Sequence, residues 1–277
     1  SRPQGRTVTT VRPWIRSHLI AAAVIGTLLA IAVSAVMDVV GLSGINVFPL
    51  VPLFFLYWYL LRLSRPAIGF VWGHLRDYGL ALLYPALVLS LVGLLAWLSG
   101  AVSVAAVDWH QTLFDLIVKQ FLPTLIFALI TEEGIFRGWL WATLSRAGVT
   151  ALRLVLLTSV AFAAWHVPDV ILPTGFQPSP AQAPVLILNA GVIGASWAIM
   201  RLRSGSIVVT SLSHSVWNAL VYVLFGVGST VGALGIHNTT VFGPEIGLVG
   251  LGLNLAFATV LWVTLGRRSD GLEPAAP

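Results

Sequence analysis

Three short stretches of the sequence place chemically active residues four positions apart, and they read EEGIFR at 132–137, FAAWH at 162–166 and HSVWN at 214–218. Residues four apart share one face of a helix. Carboxylates can act as general bases, imidazoles assist proton transfer, and a His–Asn face can donate hydrogen bonds to an oxyanion. Together these groups predict water-mediated hydrolysis of a carbonyl compound, without a covalent intermediate.

The first stretch divides its charges between two helix faces. Glu133 and Arg137 are four apart, so we expect an ion pair with a structural or electrostatic role. Glu132 is rotated by about 100° from Glu133 and points elsewhere. Glu132 is therefore the carboxylate that is left for chemistry, as a general base toward water.

The second and third stretches bring aromatic rings to the polar groups. Phe162 places a ring beside His166, and Pro168 is expected to end or kink that helix and to free a carbonyl near the imidazole. His166 would polarise water or protonate a leaving amine. Trp165 and Trp217 adjoin the polar residues, so we expect them to wall the site.

The composition is that of a polytopic membrane protein. Hydrophobic residues make up 57% of the chain and charged residues 9%, whereas a soluble domain carries about 25% charged residues. The net charge of +5 then reflects topology, and nucleic acid is not expected as a partner. The chain has no cysteine, which excludes disulfides, thiol catalysis and cysteine-based metal sites.

Eight apolar segments match the length of about 20 residues that a membrane helix needs. They lie near 18–38, 45–62, 79–99, 112–142, 150–167, 183–201, 205–226 and 246–266. We therefore predict an all-α bundle of eight transmembrane helices. Its parts would be a basic N-terminal segment, the bundle with its catalytic core, and a short tail, at 1–17, 18–266 (core 112–226) and 267–277.

Basic residues occur in every second connection and near both ends of the chain. The other connections contain neither lysine nor arginine, and they are 39–44, 100–111, 168–182 and 227–245. The positive-inside rule then places both termini in the cytoplasm. Because fourteen of the fifteen basic residues are arginine, the chain looks bacterial, and the inner (plasma) membrane is the expected location.

The polar groups of the three stretches are predicted to lie at one depth. Counted from the arginine at the cytoplasmic end of each helix, Glu132 lies roughly 21 Å deep and His166 roughly 20 Å. His214 and Asn218 lie at roughly 16 and 22 Å, within a hydrocarbon layer about 30 Å thick. Ionisable groups at this depth predict a functional site, since their burial is costly.

These residues resemble the CAAX protease and bacteriocin-processing family of intramembrane glutamate endopeptidases, which is related to the eukaryotic prenyl-protein CAAX endopeptidase. That family is marked by EExxxR, FxxxH and HxxxN on three helices of an eight-helix bundle. All three patterns occur here in order and at matching spacing. The resemblance covers the fourth to seventh segments in detail and the others in outline.

The resemblance implies a role for each motif position. Glu132 would be the general base, aided by His166, and His214 with Asn218 would form the oxyanion site. The supporting residues would shape the cavity and balance its charge, and they are Glu133, Arg137 and Phe162. The substrate would be a membrane-embedded or membrane-anchored peptide, such as a bacteriocin-like precursor, within the lipid bilayer.

Several alternatives stay open at this level. Glu132, His166 and His214 could ligate a catalytic zinc ion, although the chain has no HExxH; the preferred hypothesis has no metal or other cofactor. The spacing alone does not separate a protease from an amidase or a lipid hydrolase. A catalytically silent immunity factor or subunit of a membrane protein complex is the main alternative, followed by a transporter, which the lack of internal repeats disfavours.

Asp38 and Asp169 are expected at the outer membrane interface, without a role.

Overall fold

The apolar segments of the chain all fold into helices in the computed structural model, which describes residues 13–265 except 16, 43, 44, 46, 105, 106, 175 and 229. The helices are α1 Leu19–Val39, α2 Val47–Leu61, α3 Arg65–Ile68, α4 Leu75–Leu98, α5 Trp109–Arg146, α6 Ala151–Trp165, α7 Val167–Ile171, α8 Ala183–Ser204, α9 Ile207–Leu220, α10 Thr239–Phe242 and α11 Leu248–Leu265. The predicted tail 267–277 and most of the predicted segment 1–17, with its arginines, lie outside the described residues.

Among the described residues, six helical segments are long and apolar enough to cross a membrane: α1, α4, α5, α6 with α7, α8, and α9 with the π-helical turn that follows it. The other two predicted spans correspond to α2 and α11, which are apolar but shorter. The predicted all-α class is confirmed, and six of the eight predicted spans have the length and hydropathy of membrane helices. The chain is a multi-pass membrane protein.

Two local features depart from regular α-helix. Helix α5 contains two π-helical stretches, Asp115–Phe121 and Glu133–Leu140, and α9 continues into a third, Val221–Phe225. After the third, Gly226–Val227 and Thr230–Val231 pair as a short antiparallel hairpin. Wider π-helical turns are frequent at functional sites, and the second one coincides with most of the EEGIFR motif.

Glycines in this second π-helical stretch allow other helices to approach α5. A Cβ at Gly134 would lie 3.1 Å from the ring of Phe54 on α2, and one at Gly138 would lie 3.1 Å from the carbonyl oxygen of Ile68 on α3. Both distances are shorter than ordinary van der Waals contacts. Close packing on this side leaves the glutamates of α5 facing the centre of the bundle.

Helices α8 and α9 form the centre of that bundle and carry its most buried spans. Helix α8 packs against α6 and α11, and α9 packs against α4 and α5. The two helices are joined by a sharp turn, in which Gly205 adopts a left-handed φ of 67° and the hydroxyl of Ser206 accepts hydrogen bonds from the first turn of α9. This turn sets the register that brings His214 toward α5.

The end of α6 is determined by Pro168, as the sequence predicts. Helix α6 stops at Trp165, His166 lies at the junction, and α7 starts at Val167 with Pro168 in its first turn. Since proline has no N–H and its ring collides with the carbonyl four residues earlier, it cannot continue the helix. The imidazole of His166 is therefore placed at a helix end, where the bundle opens.

Candidate active site

One cavity of about 320 Å³ lies in the interior of the bundle. Five of the seven residues predicted for the site line it, and they are Glu132, Phe162, His166, His214 and Asn218. The lining comes from the C-terminal parts of α1, α6 and α9, the N-terminal part of α8, the middle of α5 and the segment before α11. These helix ends lie away from the arginine-containing connections.

The remaining two predicted residues, Glu133 and Arg137, form an ion pair behind the cavity. The Nη1 atom of Arg137 lies 3.2 Å from Oε1 of Glu133, and both side chains are fully buried. Arg137 also donates from Nη2 to the carbonyl oxygen of Gly194 at 3.1 Å, and its guanidinium carbon lies 4.2 Å from the centre of the Phe162 ring. The predicted pair is confirmed, with a second helix and an aromatic ring as further partners.

Glu132 differs from its neighbour in both exposure and partners. Its side chain is 26% exposed and lines the cavity, whereas that of Glu133 is buried completely. No arginine or lysine in the described part of the chain forms an ion pair with Glu132. The structure thus separates the two carboxylates as the helix rotation predicts, one inside the protein and one on the cavity.

His214 connects the two glutamates. Its Nδ1 atom lies 3.1 Å from Oε1 of Glu133, and its Nε2 atom lies 3.8 Å from Oε2 of Glu132. Because an ionised carboxylate only accepts hydrogen bonds, Nδ1 carries a proton and donates to Glu133. The imidazole is stacked on Trp197 with ring centres 4.2 Å apart, so its edge with Nε2 is directed at Glu132 and the cavity.

His166 is held by its own helix. Its Nδ1 atom lies 2.9 Å from the carbonyl oxygen of Phe162, and a carbonyl requires a donor, so Nδ1 is protonated. In the neutral imidazole Nε2 then keeps its lone pair. The ring of Phe162 lies 4.9 Å from that of His166 at an interplanar angle of 70°. The four-residue spacing of FAAWH thus orients the ring and selects its tautomer.

Trp165 and Trp217 both line the cavity, as predicted. Trp217 has a second contact that the sequence does not reveal: its Nε1–H donates to Oε1 of Glu245 at 2.9 Å. Glu245 lies before α11 and lines the same cavity. Burial, which the hydrogen bond from Trp217 only partly offsets, raises the pKa of Glu245 above its ordinary value.

A chain of amide and phenol groups holds the segment that carries Glu245. The amide nitrogen of Asn189 donates to the carbonyl oxygens of Pro244 and Glu245, at 2.8 and 3.0 Å. Asn254 donates to the amide oxygen of Asn189 at 2.9 Å, and Tyr84 donates to that of Asn254 at 2.7 Å. Three helices thereby fix the backbone on one side of the cavity.

Three acidic residues of the cavity were not predicted to belong to the site. Asp38 and Asp169, which were expected at the membrane interface without a role, line the cavity together with Glu245. The position of a residue along a helix gives its distance from the helix end but not the direction in which its side chain faces, so the sequence did not place these side chains in the cavity. The available signal was a lone acidic residue near the end of an apolar segment, which the sequence shows at all three positions.

The zinc alternative requires side chains that converge on one point. Zinc sites hold ligands about 2.0–2.2 Å from the metal, so three ligands must lie close together. No group of three or more histidine, aspartate or glutamate side chains with such an arrangement occurs among the described residues. Glu132, His166 and His214 share the cavity, but their positions do not fit a zinc site.

Comparison with known proteins gives one match. Residues 114–220 match the family model described as type II CAAX prenyl endopeptidase Rce1-like. Searches of curated proteins and of solved structures found no match. The matched range contains all three motifs and every residue predicted for the site. Residues 114–220 therefore carry the pattern of the Rce1-like CAAX proteases, consistent with the CAAX protease and bacteriocin-processing family that the motifs indicate.

Proposed function

We propose that the protein is an intramembrane endopeptidase that hydrolyses a peptide bond of a membrane-associated substrate, with water activated by Glu132. The observation that supports this most strongly is the difference in surroundings between the two adjacent glutamates. Glu133 is neutralised by Arg137 inside the protein, whereas Glu132 lies on a cavity beside two histidines. A carboxylate that has no arginine or lysine partner in an apolar bundle is expected to serve chemistry.

In this mechanism Glu132 takes a proton from water as the oxygen attacks the scissile carbonyl. The proton is then transferred to the leaving nitrogen as the C–N bond breaks. His166 assists from the same cavity, because its unprotonated Nε2 can accept a hydrogen bond from the attacking water. No covalent bond between enzyme and substrate is required.

The oxyanion is stabilised from α9. Asn218 donates through its amide, and His214 donates through Nε2 when the ring carries both protons. The hydrogen bond from Nδ1 to Glu133 at 3.1 Å favours that imidazolium, as a buried carboxylate does for the histidine of a catalytic triad. Glu133 would then support catalysis through His214 while it also neutralises Arg137.

The substrate is a membrane-embedded or membrane-anchored peptide, and the catalytic core is 112–226. All eight apolar helices would cross the membrane, with both termini and the basic connections in the cytoplasm. The absence of native cysteine makes this orientation easy to test. Single cysteines at Ser145 and Ser99 should react with a membrane-impermeant thiol reagent from opposite sides of the membrane.

The central test is Glu132→Gln, which preserves shape and removes the base. The variant and the wild type are reconstituted in nanodiscs and incubated with a library of palmitoylated peptides, and products are identified by mass spectrometry. Cleavage should slow by roughly 10²- to 10⁴-fold at equal membrane abundance. Asp115→Asn, which removes an exposed carboxylate paired with Lys119, should cleave as the wild type does. Equal cleavage by Glu132→Gln would reject the mechanism, and no cleavage by the wild type would favour a silent protein.

A further inference from the structure

The cavity carries acidic side chains that the proposed mechanism does not use. Glu132 accounts for one of its carboxyl groups, and Asp38, Asp169 and Glu245 supply three more. No lysine or arginine is among the residues that line it. Nor does any lysine or arginine of the described ranges form an ion pair with these three.

A single metal ion does not account for these groups. Within the part of the chain that the structure describes, no three acidic or histidine side chains are arranged to hold a metal. The carboxyl groups are instead distributed around about 320 Å³ of space. A cationic side chain requires only one of these carboxyl groups within hydrogen-bonding distance, whereas a metal ion requires several ligands that converge.

Glu245 is the member of this group whose position is most firmly held. Trp217 donates to Oε1 at 2.9 Å, and Asn189 holds the backbone carbonyls of Pro244 and Glu245. The other carboxyl oxygen of Glu245, Oε2, does not take part in the hydrogen bond from Trp217. A side chain fixed in this way is preorganised, so it loses little conformational freedom when it binds a ligand.

The walls near Glu245 suit the stem of a long basic side chain. Trp165, Trp217, Phe176 and Tyr222 line the same cavity. Lysine and arginine carry a charged head on an apolar stem, which packs well on aromatic surface. Aromatic faces also attract the cation itself.

We propose that Glu245 is a specificity-determining residue that binds the ammonium or guanidinium group of a lysine or arginine side chain in the substrate peptide. This inference rests on the proposed function, since it names the class of peptide that would be cleaved. Asp38 and Asp169 line the same cavity. Glu132 remains the base, so Glu245 acts on substrate choice and not on water.

The test uses Glu245→Gln, which keeps an oxygen for the Trp217 hydrogen bond and removes the charge. In the palmitoylated library, wild-type products should be enriched for lysine or arginine at one position near the cleaved bond. Loss of a hydrogen bond to a charged group corresponds to roughly ten- to a hundredfold, so Glu245→Gln should lose that enrichment by this factor. Cleavage of peptides without a basic residue should be retained. Asp115→Asn should keep the wild-type preference.

A binding measurement separates this inference from the proposed function. In the Glu132→Gln background, the affinity for palmitoyl-glycyl-lysine amide is compared with that for its acetyl-lysine analogue, in phosphatidylcholine nanodiscs. The lysine probe should bind at least about tenfold more tightly, and the additional Glu245→Gln change should abolish the difference. The additional Asp115→Asn change should leave the difference in affinity between the two probes as it is.

The outcomes are distinct. Cleavage without basic preference, equal binding of the two probes, or a preference that survives Glu245→Gln would each overturn the role of Glu245 and leave the peptidase intact. A Glu245-dependent preference for the lysine probe in a protein that cleaves no library peptide would support the cation site and reject the peptidase.

Discussion

Arg137 and Glu245 both lie within the bundle, but their surroundings differ in one respect. Arg137 has Glu133 at 3.2 Å and a backbone carbonyl at 3.1 Å, whereas Glu245 accepts one hydrogen bond from Trp217 and forms no ion pair with an arginine or lysine of the described chain. The same contrast holds for the regions around them.

The first region, which we call the arginine layer, comprises Arg137, Arg146, Arg201 and Arg203. Each of them donates to a carboxylate or a carbonyl: Arg146 to the oxygen of Leu61 at 2.7 Å, Arg201 to that of Arg137 at 3.0 Å, and Arg203 to Asp77 at 2.9 Å. These contacts join α2, α4, α5 and α8. Satisfied charges in this layer hold the helices together.

The second region is the cavity, whose four carboxyl groups have no such cation. Leaving charges unpaired in an apolar environment destabilises a fold unless function requires it. The difference teaches that charge compensation distinguishes the arginine layer from the cavity. Depth in the membrane does not, because Glu132 and Glu133 have nearly the same depth.

The largest expected effect concerns Arg137→Met. It removes the cation of a fully buried pair and leaves Glu133 uncompensated, so the free energy of unfolding should fall by about 3–5 kcal/mol. Thermal unfolding in detergent and membrane abundance would measure this. The double change Arg137→Met with Glu133→Gln should recover part of the loss. A single variant as stable as the wild type would show that the pair is not structural.

A smaller effect is expected for His214→Ala. Glu133 loses a hydrogen-bond donor and Trp197 loses its stacked ring, so stability should fall by about 1–3 kcal/mol. His166→Ala is the matched control, since its Nδ1 contacts only a backbone carbonyl of its own helix. If both variants unfold at the same temperature, the contacts of His214 with Glu133 and Trp197 do not stabilise the fold.

Asp77→Asn tests the outer part of the arginine layer. The ion pair with Arg203 is short at 2.9 Å, but Arg203 is 26% exposed. A partly exposed pair contributes about 0.2–1 kcal/mol, so the loss should be of that order. A loss as large as that of Arg137→Met would contradict the dependence on burial, and chemical denaturation would show it.

The smallest effect is expected when a cavity carboxyl is neutralised. Glu132→Gln and Glu245→Gln should unfold at the temperature of the wild type or slightly above it, because neither carboxyl group forms an ion pair with an arginine or lysine of the described residues, so no such pair is broken. Differential scanning fluorimetry of both variants beside Asp77→Asn gives the comparison. A clear destabilisation by either variant would mean that the cavity carboxylates hold the fold.

Much of the helical fold followed from hydropathy alone. Every predicted apolar segment contains a helical span whose ends lie within about four residues of the prediction, and the largest differences are the start of the third segment, at Leu75 instead of 79, and the C-terminal ends of the fourth and fifth segments. Those two spans extend to Arg146 and Ile171, beyond the predicted limits near 142 and 167. The π-helical turns were not foreseen, because they depend on how α5 packs against α2, α3 and α9.

The sequence by itself determined the membrane class through its composition. It also determined the three motifs, the Glu133–Arg137 pair and the helix end at Pro168, because these depend on residues no more than four positions apart. Only the tertiary structure decided that His214 bridges two glutamates of another helix and that Asp38, Asp169 and Glu245 face the cavity. Those contacts join residues more than eighty positions apart or depend on helix rotation. Spacing along the chain determines which residues share a helix face, whereas packing of the whole bundle determines what that face meets.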